Sequence, residues 1–133
     1  MVGKDEMMET SSEAQSRVLS EAVARVAALW SIGDDMLGEI LGIAGNRAAD
    51  LRNGTFRLAR PDPAFRAGQY LVRLFQELAV LIGDDRSVMA WLQTENMDLG
   101  GRPIDLVRTE GGSRELLSYV ETRRHRPDSG GAK

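Results

Sequence analysis

The amino-acid sequence predicts an all-α fold. Over several segments, apolar residues recur every three to four positions, the spacing that gives a helix one buried face. No segment alternates apolar and polar residues over the length of a strand. Glycine, proline and aspartate stand where each apolar pattern stops, as is typical of helix ends. The length of 133 residues suits one compact unit, or two small subdomains that share a core.

The first segments are predicted to be a leader and two helices. Residues 1–12 contain few apolar groups to offset the entropy cost of ordering, so we expect a disordered leader. Residues 13–30 are expected to form the first helix, with Trp30 as a core anchor. Asp34 or Asp35 would cap a short second helix, since a carboxylate accepts hydrogen bonds from the free N–H groups of a helix start.

A third helix is expected after a tight turn at residues 42–45. Asn46 would cap this helix, and Gly54 would end it in a left-handed conformation. Two short helices joined by a glycine-containing turn have the form of a helix-turn-helix. Such a pair reads DNA when its second helix enters the major groove. A helical hairpin that serves only packing has the same pattern and stays an alternative.

A basic strip lies at and after the third helix. Residues 46–73 hold six arginines and two aspartates in a chain whose net charge is −3. This asymmetry favours contact with an anion such as DNA, although a solvated arginine face would give the same pattern. The candidate DNA-binding residues are Asn46, Arg47, Arg52, Arg57 and Arg60. We expect Arg47 and Arg52 to meet base edges, Asn46 to meet an adenine edge or a phosphate, and Arg57 and Arg60 to meet phosphate oxygens.

The second half of the chain is expected to hold four helices. They are a long helix over residues 63–82, a helix capped by Asp84 or Asp85, a short helix opened by Pro103, and a last helix over residues 113–124. Gly111 and Gly112 are expected to separate the last two helices, and residues 126–133 to form a frayed tail.

The composition argues against an enzyme. The chain has no cysteine and one histidine, His125, so neither a thiolate metal site nor a histidine pair for zinc is present, and we expect no metal and no cofactor. The paired aspartates precede apolar runs and are better explained as helix caps than as acid–base pairs. The acidic start does not resemble a secretory signal, and no window reaches the roughly 18 apolar residues of a membrane span. We therefore expect a cytoplasmic protein.

One segment carries a specific signature. Trp91-Leu92 is followed in fixed spacing by Asn96, by Leu99-Gly100-Gly101, by Pro103 and by Asp105-Leu106. Asn96 can bond to its own backbone, and the glycines permit a positive φ or a close backbone approach. This order and spacing resemble the C-terminal toxin-binding module of the Xre/MbcA/ParS antitoxins. The resemblance extends over about residues 34–124.

The resemblance implies an Xre-like helix-turn-helix bundle followed by a small helical toxin-binding domain. The implied partner is a RES-domain toxin, which degrades NAD or transfers its ADP-ribose to a protein. The antitoxin would block the NAD pocket of the toxin with its C-terminal region. It would also repress its own promoter, and act as a homodimer within a hetero-oligomeric toxin–antitoxin complex. A stand-alone helix-turn-helix transcriptional regulator is the alternative function, and a purely structural adaptor is a third.

The implied domains are residues 13–82 for the helix-turn-helix region with its long connecting helix, and residues 83–125 for toxin binding. The candidate toxin-binding residues are Leu99, Gly100, Gly101, Pro103, Ile104, Leu116, Tyr119, Arg123, Arg124 and Arg126. Four of them, Leu99, Ile104, Leu116 and Tyr119, are expected to be partly exposed apolar anchors. The arginines would suit a pocket built for a pyrophosphate, whereas a basic cluster that favours the helix dipole is the alternative.

Overall fold

The structure, a computed structural model, describes residues 4–124, with the side chains of residues 11–109 and 111–123. This part of the chain contains seven helices and no β-strand, which confirms the predicted all-α fold. The helices are α1 (Lys4–Leu29), α2 (Asp34–Leu41), α3 (Gly45–Asn53), α4 (Pro63–Leu81), α5 (Asp85–Gln93), α6 (Pro103–Leu106) and α7 (Glu110–Arg124). Within residues 4–124, none of these helices has the length and apolarity that crossing a bilayer requires.

The first helix begins upstream of the predicted start. α1 starts at Lys4, inside the segment 1–12 for which the sequence predicts a disordered leader. Residues 4–9 are mostly lysine, glutamate and methionine, which are all strong helix formers. The high helix propensity of these residues therefore accounts for a helix in a segment where the scarcity of apolar residues predicts no helix. The predicted tail, residues 126–133, lies outside the described residues.

The chain divides into two compact units, Met1–Gln69 (unit 1) and Tyr70–Lys133 (unit 2). The division falls inside α4, whereas the sequence analysis places a domain boundary after residue 82. The second half of α4 is tied to unit 2 by side chains, because Arg73 on α4 forms an ion pair with Glu121 on α7 at 2.8 Å. The long helix is thus shared by both units and does not simply connect them.

Unit 1 buries the apolar face of α1 together with residues of α2 and α3. Trp30 is 1% exposed, so its expected role as a core anchor is confirmed. The core also contains Val23, Val26, Ala27, Leu37, Ile40, Leu41, Ala48, Leu51 and Leu58. A buried hydrogen bond from the Leu58 N–H to the Ser20 hydroxyl, 2.9 Å long, fixes the segment after α3 to α1. This bond satisfies a backbone donor that burial would otherwise leave without water.

The α2–α3 pair is closed by a turn that requires glycine. Gly42 follows α2 with φ of 74°, and its N–H donates to the Gly38 carbonyl at 2.7 Å. A Cβ at Gly38 would lie 2.6 Å from the Ile43 carbonyl oxygen, so the backbone of the turn passes too close for any side chain there. Gly54 ends α3 with φ of 84°, which confirms the predicted left-handed end.

Two of the three predicted helix caps are wrong. α2 begins after Gly33 and α3 begins after Ala44, and neither start has a side-chain cap. Asp34 and Asp35 lie inside the first turn of α2, where a negative charge still suits the helix dipole. Asn46 is likewise inside α3. The third prediction is confirmed, since the Asp84 side chain caps α5.

Unit 2 packs the second half of α4 with α5, α6 and α7 around an aliphatic core. The buried residues are Leu71, Leu74, Leu78, Val88, Leu92, Pro103, Ile104, Val107, Leu116, Leu117 and Val120. At the start of α5, Asp84 accepts hydrogen bonds from the Ser87 N–H at 2.9 Å and the Ser87 hydroxyl at 3.1 Å. These bonds hold the pKa of Asp84 below its usual value, because they favour the charged carboxylate.

Candidate functional site

The signature turn between α5 and α6 is held together by Asn96. Its N–H donates to the Gly101 carbonyl at 2.9 Å, and its carbonyl accepts from the Gly100 N–H, also at 2.9 Å. Its side-chain Oδ1 accepts from the N–H groups of Asp98 at 2.9 Å and Leu99 at 3.3 Å. Gly100 has φ of 78°, a conformation that favours glycine. The expectation that Asn96 bonds to its own turn is confirmed.

A three-residue cluster joins this turn to α7. Asp98 Oδ2 accepts from the Tyr119 hydroxyl at 3.1 Å and from the Arg123 guanidinium at 2.9 Å. The guanidinium carbon of Arg123 also lies 4.8 Å from the centre of the Tyr119 ring, within cation–π distance. We call Asp98, Tyr119 and Arg123 the Asp98 clamp. It fixes the exposed side of the turn against α7, the helix that carries the candidate toxin-binding residues Leu116, Tyr119 and Arg123.

Trp91 supports the clamp from α5. Its ring is stacked with that of Tyr119, with centroids 6.5 Å apart and planes 19° from parallel. Leu92, the next residue on α5, is fully buried. Trp91 is half-buried, because it lies on the edge of the α5 face where Tyr119 covers it in part.

The short helix α6 fixes the other end of the turn. Pro103 opens it, as predicted, and is buried. Arg102 donates to both carboxylate oxygens of Asp105, at 3.1 and 3.2 Å. The hydrogen bonds and the charge of Asp105 raise the pKa of Arg102. This exposed pair orients the entry into α6 and places Asp105 in its first turn.

The glycine pair before α7 has a different role from the predicted one. The sequence predicts that Gly111 and Gly112 separate two helices, yet α7 begins at Glu110 and includes both. A Cβ at Gly112 would collide with the Leu106 carbonyl oxygen. The Gly112 N–H donates to the Thr109 hydroxyl at 3.0 Å, which caps the helix start. Gly112 is therefore a close-packing residue and does not break the helix.

The predicted apolar anchors divide into two groups. Leu99 and Tyr119 are half-buried, as expected. For Ile104 and Leu116 the expected partial exposure is wrong, since they are 7% and 0% exposed. α6 packs on both α5 and α7, which turns Ile104 inward, and Leu116 shares the inner face of α7 with Val120. Both belong to the core of unit 2 in this chain.

A groove of about 470 Å³ lies beside the clamp. Its walls are formed by the clamp residues together with Leu99, Glu115, Ser118 and Thr122. It offers both signs of charge, hydroxyl groups and some apolar surface. Of the three arginines nominated for toxin binding, Arg123 belongs to this wall. The side chain of Arg124 and all of Arg126 lie outside the described residues.

Two residues of this region, Asp98 and Met97, are not among the site residues predicted from the sequence. Asp98 reads as an ordinary turn residue, because its partners are 21 and 25 positions away in the chain. Met97 is 98% exposed at the tip of the turn. The available signal was a large apolar residue between the two polar residues Asn96 and Asp98.

The helix pair of unit 1 exposes only some of the candidate DNA-binding residues. Asn46, Arg47 and Arg57 are exposed, and the Arg47 guanidinium carbon lies 5.0 Å from the centre of the Phe56 ring. Arg52 is half-buried, and its Nε donates to Asp34 Oδ1 of α2 at 2.7 Å. This pair joins the end of α3 to the start of α2 and neutralises one of the arginines.

Arg60 is also engaged within unit 1. Its guanidinium donates to the Gln15 side chain of α1, and its central carbon lies 4.4 Å from the centre of the Phe65 ring. Arg60 is exposed, as are Asn46, Arg47 and Arg57, but its guanidinium already has these two partners. Among the side chains that the structure describes, no cluster of histidine, cysteine or acidic residues could hold a metal ion.

A known protein family matches a segment of the chain that lies within unit 2. Residues 77–126 match the model of the antitoxin Xre/MbcA/ParS C-terminal toxin-binding domain. This range begins inside α4 and includes α5, α6, the signature turn, the Asp98 clamp and α7. No curated protein matches the chain. The match covers the signature folded into one corner of unit 2, so this part of the chain is similar to the C-terminal toxin-binding domain of the Xre/MbcA/ParS antitoxins.

Proposed function

We propose that this chain is an antitoxin of the Xre/MbcA/ParS family and that it neutralises a RES-domain toxin that degrades NAD or uses it to ADP-ribosylate a protein. The observation that carries the proposal is the signature of residues 91–106, which lies within the matched toxin-binding domain and resembles that of antitoxins with RES partners. The folded corner suits binding, because its backbone is held by several hydrogen bonds and needs little ordering on contact. We place its action in the cytoplasm.

The proposed mechanism is steric occlusion of the NAD pocket of the toxin by the C-terminal region. Guanidinium groups suit a pocket that handles a pyrophosphate, since they can pair with its carboxylates or occupy its polar surfaces. Arg123 is already paired with Asp98, so we assign it to the architecture of the corner. Arg124 and Arg126 are then the cations that we propose for the toxin pocket. The antitoxin itself catalyses no reaction in this scheme.

The test measures NAD consumption by a toxin isolated by pull-down with this chain and carrying a RES domain, with and without the full-length chain. We expect the wild type to stop NAD loss and the double variant Arg124→Ala/Arg126→Ala to inhibit much more weakly. Arg114→Ala is the matched control, because it removes an exposed cation from α7 away from its end. Deleting residues 113–133 is unsuitable, since it would remove Leu116 and Val120 from the core. If NAD loss continues with wild-type antitoxin, the proposal is wrong.

We also propose promoter autoregulation by a homodimer of the antitoxin. The support is the glycine-closed α2–α3 pair, which has the form of a helix-turn-helix, with Asn46 and Arg47 exposed near the start of its second helix. Arg57 lies beyond α3, where it could contact a phosphate. Dimers of such motifs bind two half-sites, which compensates for a weak single contact. Within the assembly, the antitoxin dimer would join the toxin in one complex.

Gel shifts on the promoter fragment test this second activity. Arg47→Ala is expected to weaken promoter binding and to leave inhibition of the toxin intact, because Arg47 belongs to unit 1. Arg86→Ala, which removes an exposed arginine of α5, is the control. An unchanged shift with Arg47→Ala would remove α3 from the role of recognition helix. A stand-alone transcriptional regulator remains the second candidate, favoured by the same helix pair, and it predicts promoter binding without any toxin partner.

A further inference from the structure

The exposed tip of the signature turn is a methionine. Met97 is 98% exposed, more than any other large apolar side chain among those described. Val80, the next, is 64% exposed and lies on the side of α4. A single exposed apolar residue is common on protein surfaces and by itself indicates nothing. What distinguishes Met97 is the backbone that holds it.

Both sequence neighbours of Met97 are fixed by several contacts. On its N-terminal side, Asn96 pairs with Gly101 across the turn through its backbone. On its C-terminal side, Asp98 donates its N–H to Asn96 Oδ1, and its carboxylate is held by Tyr119 and Arg123. A flexible, exposed side chain therefore stands on a rigid backbone, and that rigidity depends on two side chains of α7.

We propose that Met97 is an apolar anchor that enters a pocket of the RES-domain toxin, presented by Asn96 on one side and by the Asp98 clamp on the other. This inference rests on the proposed function, because the partner is the toxin. The thioether chain of methionine adapts to irregular apolar pockets. A preordered backbone removes the entropy cost of ordering the turn, so the cost that remains at this position is that of the methionine side chain itself.

The surroundings of Met97 fit an interface of this kind. Contact surfaces between proteins combine a few buried apolar anchors with a polar rim. Leu99, half-buried, adjoins the tip, and the groove beside the clamp supplies carboxylate, guanidinium and hydroxyl groups for such a rim. The glycines after Leu99 leave room for a partner, since a Cβ at Gly100 or Gly101 would meet no atom within 4 Å.

The experiment measures the dissociation constant between the full-length chain and the RES-domain toxin isolated with it, made inactive by substitution of a catalytic residue. Met97→Ala is expected to weaken binding by about tenfold or more, which corresponds to removing most of a buried methionine side chain. Met97→Leu keeps an apolar chain of similar volume and should lose much less. Val80→Ala is the matched control, because it truncates an exposed apolar side chain of the same unit outside the turn.

The readouts separate this inference from the proposed function. If the wild type binds and inhibits the toxin while Met97→Ala binds equally well, the inference is overturned and the proposed function stands. If the wild type neither binds nor inhibits the RES-domain protein, the proposed function fails and the inference fails with it. Sedimentation of the free antitoxin provides a further check. A change of oligomeric state in Met97→Ala would assign the tip to a contact between two copies and overturn the inference. Unchanged sedimentation with weakened toxin binding supports it.

Discussion

Asp98 holds two donors of α7 on a single carboxylate oxygen. Hydrogen bonds to a charged group are stronger than neutral ones, and the Arg123 guanidinium adds a cation–π contact with Tyr119. The side chains of Arg123 and Asp98 are, however, 53% and 61% exposed. Solvent screening therefore limits the pair to about 1 kcal/mol or less of stability. Its main effect is to fix the position of the turn.

Replacing Tyr119 by phenylalanine tests that effect. The variant removes the hydroxyl that donates to Asp98 and keeps a ring that can stack with Trp91. We expect faster amide hydrogen exchange at Leu99 and Gly100, with the free energy of unfolding lower by about 1 kcal/mol or less. Tyr70→Phe is the control, since it removes a tyrosine hydroxyl of the same unit that is not part of the Asp98 clamp. Exchange rates equal to wild type in both variants would contradict the role of the clamp.

The stability of the folded chain should depend on pH through the carboxyl group of Asp84. Its pKa in the folded chain is lowered, chiefly by the Ser87 N–H and then by the Ser87 hydroxyl. A group of this kind stabilises the fold above its unfolded pKa, here 3.8, and the contribution is lost as the pH falls through the folded pKa. Asp84→Ala should therefore melt at a lower temperature than wild type at pH 7, and the difference should shrink in acid below about pH 4. Asp85→Ala, which keeps the cap, should not show this pattern.

Residue roles could be predicted where the cause is local. The bonds of Asn96 and the left-handed Gly100 follow from the turn in which they lie, so the signature reveals both. The pairing of Arg52 with Asp34 and of Arg60 with Gln15 could not be predicted, because the partners lie on other helices. These contacts leave fewer arginines available to an anion than the sequence count indicates.

At the scale of elements, α6 and α7 meet through a glycine. Gly112 lies against the last carbonyl groups of α6, and the Ser113 hydroxyl donates to the Val107 carbonyl at 3.1 Å in the buried interior. A side chain at position 112 would collide with backbone, which cannot rotate away as a side chain can. The approach of these two helices determines where the clamp residues of α7 stand relative to the turn.

A pair of neighbouring substitutions tests the close approach. Gly112→Ala is expected to lower the free energy of unfolding by about 1–3 kcal/mol, because the added methyl group displaces backbone. Gly111→Ala should raise it by roughly 0.5–1 kcal/mol, because no atom lies within 4 Å of its Cβ and alanine favours helix over glycine. Urea denaturation of both variants measures the difference. Equal effects of the two would mean that Gly112 has no packing role.

The helices could be predicted because the spacing of apolar residues and the residues at the helix ends lie within each helical segment itself. The sequence places all seven, including the proline-opened α6 and the Asp84-capped α5. The errors concern features that depend on other parts of the chain or on competing local signals. The glycine pair at residues 111–112 has the pattern of a helix break, and only the nearby carbonyl of Leu106 explains why it lies inside α7. The inward direction of Ile104 likewise depends on the two helices that cover α6.

At the scale of the whole molecule, charge is distributed unevenly. The chain carries a net charge of −3, yet residues 46–73 are basic and include the exposed Arg47 and Arg57. Arg52 and Arg60 belong to the same strip but are engaged within unit 1. Promoter binding by this unit would therefore depend on few phosphate contacts per protomer, and a second protomer would be needed for useful affinity.

The dependence of promoter binding on salt tests this view. The logarithm of the binding constant should fall linearly with the logarithm of salt concentration, and Arg57→Ala should reduce the slope by about 1 per lost phosphate contact. Fluorescence anisotropy with the promoter fragment measures the slope, and Arg86→Ala in unit 2 is the control. A slope that Arg57→Ala leaves unchanged would remove this residue from the DNA contact.

The bond between position 98 and α7 has a consequence for engineering partner choice. A turn transplanted from a related antitoxin could bring a residue other than aspartate to position 98. Tyr119 and Arg123 would then have no carboxylate there to which they could donate. The transplanted turn would then lose the hydrogen bonds that join it to α7. A redesigned antitoxin should therefore exchange position 98 together with positions 119 and 123. In natural variants of this protein, we expect substitutions at these three positions to occur together.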